Sequence, residues 1–155
     1  MKKKIKIILT GASGFLGYRI IKRLSKEYDI LAIYNKNKII HKKVKSFQCD
    51  LKGKKIKRLF EIFNPDLVIH CAAESSIEKC EMNKKISKKI NFDSTKKLLK
   101  IFGFKKKFIF ISTDHIFEGK KNYYTEKSKT RPLNYYGISK VMSENYIKKK
   151  NLKIF

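Results

Sequence analysis

Residues 5 to 24 narrow the possible folds more than any other stretch. Residues 5 to 9, Ile-Lys-Ile-Ile-Leu, are a short run of β-formers, which reads as a strand buried in a parallel sheet. Thr10 to Gly17, TGASGFLG, follows at once and sets Gly11, Gly14 and Gly17 at GxxGxxG spacing. Phe15, Leu16, Ile20, Ile21 and Leu24 then recur at helical intervals. Strand, glycine turn and helix in that order predict a phosphate cradle. Gly11 takes a tight turn, Gly14 lets backbone approach a pyrophosphate, and Gly17 lets the helix pack on the strand. The free N–H groups of the helix start, in the segment that carries Ser13, Phe15 and Leu16, face the anion. A glycine turn without a ligand is the alternative, and the flanking strand and helix favour dinucleotide binding over it.

The alternation continues along the chain. Residues 30–34, 44–49, 67–71 and 108–112 read as further strands. Between them Ile56, Leu59, Phe60 and Phe63 share one helix face, ended by Asn64-Pro65-Asp66. A longer helix carries Ile86, Ile90, Leu98, Leu99 and Phe102 and stops near Gly103, and another covers 139–150. Strands alternating with helices predict an α/β fold, a doubly wound parallel sheet of strand order 3-2-1-4-5, with ligands at the carboxyl ends of the strands. Those ends are Thr10, Tyr34, Asp50, Cys71 and Ser112. Asn151 to Phe155 reads as a sixth strand just beginning. The expectation is a single domain over residues 1–155, truncated at about the sixth strand.

A second constellation, Tyr136-Gly-Ile-Ser-Lys140, supplies the chemistry that a bound redox dinucleotide would call for. Hydride delivery to a ketone leaves an alkoxide, so the site needs a proton donor and hydrogen bonds to the oxygen as it gains charge. A phenol with an ordinary pKa of about 10 gains from a nearby cation when it acts near neutrality. Lys140 lies one helical turn beyond Tyr136 on the same face, and Thr113 offers a hydroxyl. A packed aromatic and a solvated lysine are the alternative reading of YxxxK alone.

These segments together resemble the extended short-chain dehydrogenase/reductases. TGASGFLG is similar to their cofactor loop, Cys49-Asp50-Leu51 to the adenine contact, and His70-Cys71-Ala72-Ala73 to the segment that lines the cofactor after the fourth strand. Within that family, Ser112-Thr-Asp-His-Ile-Phe-Glu-Gly119, Tyr123-Tyr-Thr-Glu126 and Pro132-Leu-Asn-Tyr-Tyr-Gly137 look like the dTDP-4-dehydrorhamnose reductases. The resemblance implies a Rossmann-type sheet, NAD(P)H as cofactor and a nucleotide-linked 4-keto sugar as substrate. It implies that Tyr136 is the acid, that Lys140 also bonds the nicotinamide ribose and that Thr113 bonds the substrate carbonyl. It places Gly11, Ser13, Gly14, Phe15, Leu16, Gly17, Asn35, Lys36, Asp50, Leu51, Cys71, Ala72, Ala73, Tyr136 and Lys140 against the cofactor. It also implies that a C-terminal substrate-binding part is absent from these 155 residues, with a homodimer or a partner subunit as the expected assembly. Sugar-nucleotide epimerases and dehydratases share the loop and YxxxK. The regulatory subunit of methionine adenosyltransferase, a non-catalytic NADP-binding protein, carries a similar STD segment.

Where NAD enzymes place a carboxylate on the ribose, this chain reads Tyr34-Asn-Lys-Asn-Lys38. Asn35 and Lys36 there suit a 2′-phosphate, which favours NADPH with NADH possible. The chain has 39 Lys+Arg against 13 Asp+Glu, formal net charge +26, a balance that suggests a polyanion partner. The excess is nearly all lysine spread over nearly every predicted helix, however, while Arg is the usual reader of bases. The expectation is no nucleic-acid partner, although a basic nucleic-acid binder is the third class of function the sequence leaves open. Cys49, Cys71 and Cys80 lack metal spacing, and reduced thiols in a cytoplasm with no metal are expected. His70 reads as a core histidine satisfied by backbone. No apolar run reaches the length of a membrane span, and the basic start lacks the features of a signal peptide.

Overall fold

A computed structural model describes residues 4–104 and 106–150. Five parallel strands, β1 (Lys6–Thr10), β2 (Asp29–Tyr34), β3 (Lys45–Gln48), β4 (Leu67–His70) and β5 (Lys107–Phe110), form one sheet in the order β3-β2-β1-β4-β5. That is the order expected from the sequence. β1 is central because its apolar run can be covered on both faces: Ile7, Ile8, Leu9 and Thr10 are at most 1% exposed. Alternate side chains divide the core. Ile8, Leu31, Ile33, Val68, Phe108 and Phe110 face α2 (Lys55–Phe63), α5 (Ser94–Phe102) and α6 (Tyr135–Lys148), which contribute Ile56, Phe60, Leu98, Leu99 and Ile147. Ile7, Leu9, Ile30, Ala32 and Ile69 face the other way, where Ile21 of α1 (Phe15–Leu24) packs.

The glycines of the first turn act through space as well as through conformation. Gly11 has φ of +66°, and a Cβ there would lie 2.5 Å from the Ala72 nitrogen, so both the left-handed backbone and the contact with the β4 exit require glycine. A Cβ on Gly17 would strike the Gly11 carbonyl and come within 2.7 Å of the Ala12 Cα. This contact fixes how closely α1 seats on its own loop.

Two helices depart from the sequence pattern. The helix expected over 86–102 starts earlier and is broken, as α3 (Ile77–Met82), α4 (Lys84–Lys88), a π-helical turn over Lys89–Asp93 and then α5. Ser76 caps α3 and Asn83 caps α4, each accepting a backbone N–H through its side chain. The helix expected from Ser139 begins at Tyr135, because the Asn134 side chain accepts the Gly137 N–H at 2.8 Å and starts it four residues sooner. Tyr136 and Lys140 therefore stand on the first two turns of α6. The expected sixth strand, 151–155, lies outside the described residues.

Candidate functional site

The carboxyl ends of the strands open onto one cleft. Gly11, Asn35, Asp50, Leu51, Ala72 and Ala73 line it, joined by Ile33, Tyr34, Cys49 and Lys52. Two further lining residues come from the broken helix, Ile90 on the π turn and Ser94 at the start of α5. Neither stands out in the sequence, where Ile90 passes for an ordinary apolar helix position. Asp50 is held in place by the Lys52 N–H at 2.9 Å and by its ammonium at 3.5 Å. Asn35 is anchored through its carbonyl, which accepts from Gln48 Nε2 at 2.8 Å, and Lys36 beside it is exposed. Ser13, Gly14, Phe15 and Leu16 are exposed at the start of α1. That helix carries no acid in its first turn and no side-chain cap, so its N–H groups and the positive end of its dipole are available to an anion.

Thr113 and Tyr136 are brought together from opposite sides. Thr113 follows β5 in extended backbone and caps a 3₁₀ turn over Asp114–Ile116. Its hydroxyl donates to Asp114 Oδ1 at 3.1 Å and accepts the His115 N–H at 3.3 Å. The Tyr136 ring meets the His115 ring edge-on, 5.8 Å between centroids. Burial pushes the Tyr136 phenol above its ordinary pKa, with the Thr113 hydrogen bond opposing the shift. A phenol so placed stays protonated through neutral pH, as a proton donor must.

Lys140 is 4% exposed. Its ammonium donates to the Ile111 carbonyl and lies 4.1 Å from the centre of the Phe110 ring, a cation–π contact made inside the protein. Desolvation pushes its pKa down from 10.5 to about 8, with Cys71 and Glu144 pulling the other way. Between those two values the unfolded chain binds the proton that the folded chain has released, so stability contributed by this site rises with pH across that window. At pH 7 the buried cation costs about 3 kcal/mol. Lys140→Met is therefore expected to melt above the wild type at neutral pH. The gap should close as pH rises from 8 toward 10.5, measured as thermal midpoints for both proteins across that range. A destabilising ammonium kept in the core points to a role other than packing.

A buried polar network joins these parts, and sequence reasoning missed it. Asn91, on the π turn, accepts the Glu74 N–H at 2.8 Å and donates to the Glu74 carbonyl at 3.0 Å and to Ser139 Oγ at 2.9 Å. Ser139 Oγ donates in turn to the Tyr136 carbonyl at 2.7 Å. An asparagine and serines at helical spacing on an otherwise apolar face were the available signal. The expectation that backbone satisfies His70 is corrected: its ring nitrogens meet the Thr10 hydroxyl at 2.6 Å and the Thr95 hydroxyl at 3.0 Å. Both partners belong to elements distant in sequence. Among the described residues no cluster of His, Cys, Asp and Glu is placed to hold a metal, and no helix is long and apolar enough to cross a membrane.

Known proteins share this fold. The model of a family described as RmlD substrate binding domain matches residues 5–155. Methionine adenosyltransferase 2 subunit beta of Danio rerio is 30% identical over 92% of this chain and 43% of its own. The crystal structure of a hypothetical dTDP-4-dehydrorhamnose reductase from Sulfolobus tokodaii superposes with a TM-score of 0.82 at 30% identity, over 92% of this chain and 51% of that one. The dTDP-4-dehydrorhamnose reductase of Bacillus anthracis, solved in complex with NADP, gives 0.83 at 27% identity over 100% and 53%. The chain thus spans about half the length of the proteins it matches.

Proposed function

The chain belongs to the RmlD substrate binding domain family, and we propose that it is the NAD(P)H-binding part of a reductase acting on a nucleotide-linked 4-keto sugar. The observation that carries this reading is the seating of Tyr136, on the first turn of α6, against the 3₁₀ turn that Thr113 caps after β5, at the same carboxyl end of the sheet as the glycine cradle. The cradle fits a dinucleotide: Gly11 and Gly14 keep side chains away from the start of α1, and the cleft runs from Gly11 to Asp50 and Leu51. The loop around Gly14 and the α1 N-terminus would hold the pyrophosphate, Asp50 and Leu51 the adenosine, and Ala72, Ala73 and Lys140 the nicotinamide end. When bound, the nicotinamide supplies the hydride. Tyr136 gives its phenolic proton to the oxygen of the reduced carbonyl, and the Thr113 hydroxyl, turned from Asp114 Oδ1, donates a hydrogen bond to that oxygen as charge develops. The Lys140 cation lowers the cost of the phenolate left behind.

NADPH is the expected cofactor, because β2 ends at Tyr34 with Asn35, Lys36 and Lys38 following and no carboxylate to occupy a ribose hydroxyl. Calorimetric titration should find NADPH at least as tight as NADH. NADH tighter by tenfold, about 1.4 kcal/mol, would overturn this assignment.

A second reading is supported by the similarity to methionine adenosyltransferase 2 subunit beta: a non-catalytic subunit that binds a partner enzyme. The two separate on one comparison. Co-elution with a methionine adenosyltransferase, with Tyr136→Phe changing nothing, favours the subunit. NADPH-dependent loss of a keto sugar, abolished by Tyr136→Phe, favours the reductase.

A further inference from the structure

We propose that His70 is a positioning residue: as the neutral Nε2–H tautomer it carries a one-way chain of hydrogen bonds that couples the dinucleotide loop at the end of β1 to the turn of α6 bearing Tyr136. The proposal rests on the reading of those two segments given above, but the chain of bonds itself is a matter of donors and acceptors.

A hydroxyl has one proton and an amide carbonyl has none. The Thr95 hydroxyl lies 2.7 Å from the Asn91 carbonyl, an approach that only a donated proton can make favourable, so the Thr95 proton points there. Its oxygen must then accept from His70 Nε2, 3.0 Å away, which places the imidazole proton on Nε2. The other end is compatible with that tautomer. The Ala72 N–H can only donate, and it reaches Thr10 Oγ1 at 3.4 Å. With the imidazole proton on Nε2, Nδ1 is bare, and the Thr10 hydroxyl donates to it at 2.6 Å. The sequence of donation runs from Ala72 N–H to Thr10, to His70, to Thr95 and to the Asn91 carbonyl. Ser143 Oγ donates to that same carbonyl at 3.1 Å, and the Asn91 side chain continues through Ser139 to the Tyr136 carbonyl.

Every member from Thr10 to Ser139 is at most 1% exposed, so water cannot substitute for a lost partner. Burial and the Lys140 charge hold the His70 pKa near 3, which keeps a second proton from reversing the order. Ala72 lines the cleft while Tyr136 sits at the far end of the chain of bonds, more than sixty residues away in sequence. Deleting one hydroxyl in the middle leaves both arms without a fixed partner. His70 itself touches neither reacting group, so its effect passes through Thr10 and Thr95.

Two measurements on the chain test this. Nitrogen-15 spectra of the histidine ring in the wild-type protein should show His70 protonated on Nε2 and bare on Nδ1 from about pH 5 to 8. The opposite tautomer, or a second proton taken up in that span, overturns the proposal. Amide exchange in Thr95→Val should then be about tenfold faster at Ala72 and Glu74, as expected for loss of one buried hydrogen bond, and Thr95→Ser should restore the wild-type rates. Unchanged exchange in Thr95→Val, or no rescue by serine, overturns the coupling. Both readouts are made without cofactor. A wild-type chain that passes them yet binds no NADPH would defeat the proposed function and leave the coupling standing.

Discussion

Tyr136→Phe, made in a fusion of this chain to the C-terminal half of a related dTDP-4-dehydrorhamnose reductase, is expected to lower kcat by about 10²–10⁴-fold and to leave NADPH affinity within a factor of about two, since it removes one hydroxyl and no packing. The phenyl ring can keep its edge-on contact with His115, and the cap that starts α6 belongs to Asn134, so the helix is unaffected. What disappears is the phenolic proton beside the turn that Thr113 caps. The unfused chain is expected to reduce no sugar nucleotide at a useful rate even with Tyr136 intact. Holding the ketone in reach of the nicotinamide can contribute about 7–11 kcal/mol of barrier reduction, and the chain spans about half of the reductases it resembles. Loss of nicotinamide absorbance in the presence of a dTDP-4-keto-6-deoxy sugar measures both. Robust turnover by the short chain would show that the substrate site lies elsewhere, and a fusion indifferent to Tyr136→Phe would show that the acid does.

The fold was legible because strand identity depends on local composition. Every strand but β3, which reads Lys-Ser-Phe-Gln, contains a short apolar run, and a glycine turn followed by a helix at β1 leaves few arrangements for the others. One wall of the cleft was legible for a related reason: Asp50, Leu51, Ala72 and Ala73 sit immediately after β3 and β4, at the carboxyl ends of the strands. The broken helix was not. Ile86, Ile90 and Leu98 fit the apolar stripe of one regular helix, so the π turn over Lys89–Asp93 leaves no mark in their spacing. Periodicity alone does not announce a π turn. The start of α6 had a local signal in Asn134, yet Tyr135, Tyr136 and Gly137 are poor helix formers and hide it. The hydroxyls on either side of His70 lie 60 and 25 residues from it. No local pattern marks them, because only strand pairing and the seating of α5 bring them to the ring.

Replacing Gly14 by valine is expected to abolish binding of NADPH and NADH while the fold survives, whereas Gly17→Val should cost the fold itself. The two glycines lie in one loop and one motif but meet different neighbours. A Cβ on Gly14 finds only the Gly11 carbonyl, at 3.3 Å, and the backbone there has φ of −75°, which any residue adopts. Accepting the side chain asks that carbonyl to give by a few tenths of an ångström, and the space that it fills is the space in front of the α1 N-terminus. A pyrophosphate drawn to those N–H groups must come within hydrogen-bonding distance of the backbone, and two methyl groups at this point keep it out. Affinity should fall by at least about a hundredfold, or 2.7 kcal/mol, with the thermal midpoint lowered by no more than a few degrees. At Gly17 the added atom would strike the Gly11 carbonyl and the Ala12 Cα, both backbone atoms of the loop that α1 rests on. Relief would require the helix to lift from the sheet and expose Ile21, which is fully buried. Circular dichroism on heating and titration calorimetry on the folded variants separate the two effects. A Gly14→Val protein that still bound NADPH tightly would show that the dinucleotide does not enter at this turn.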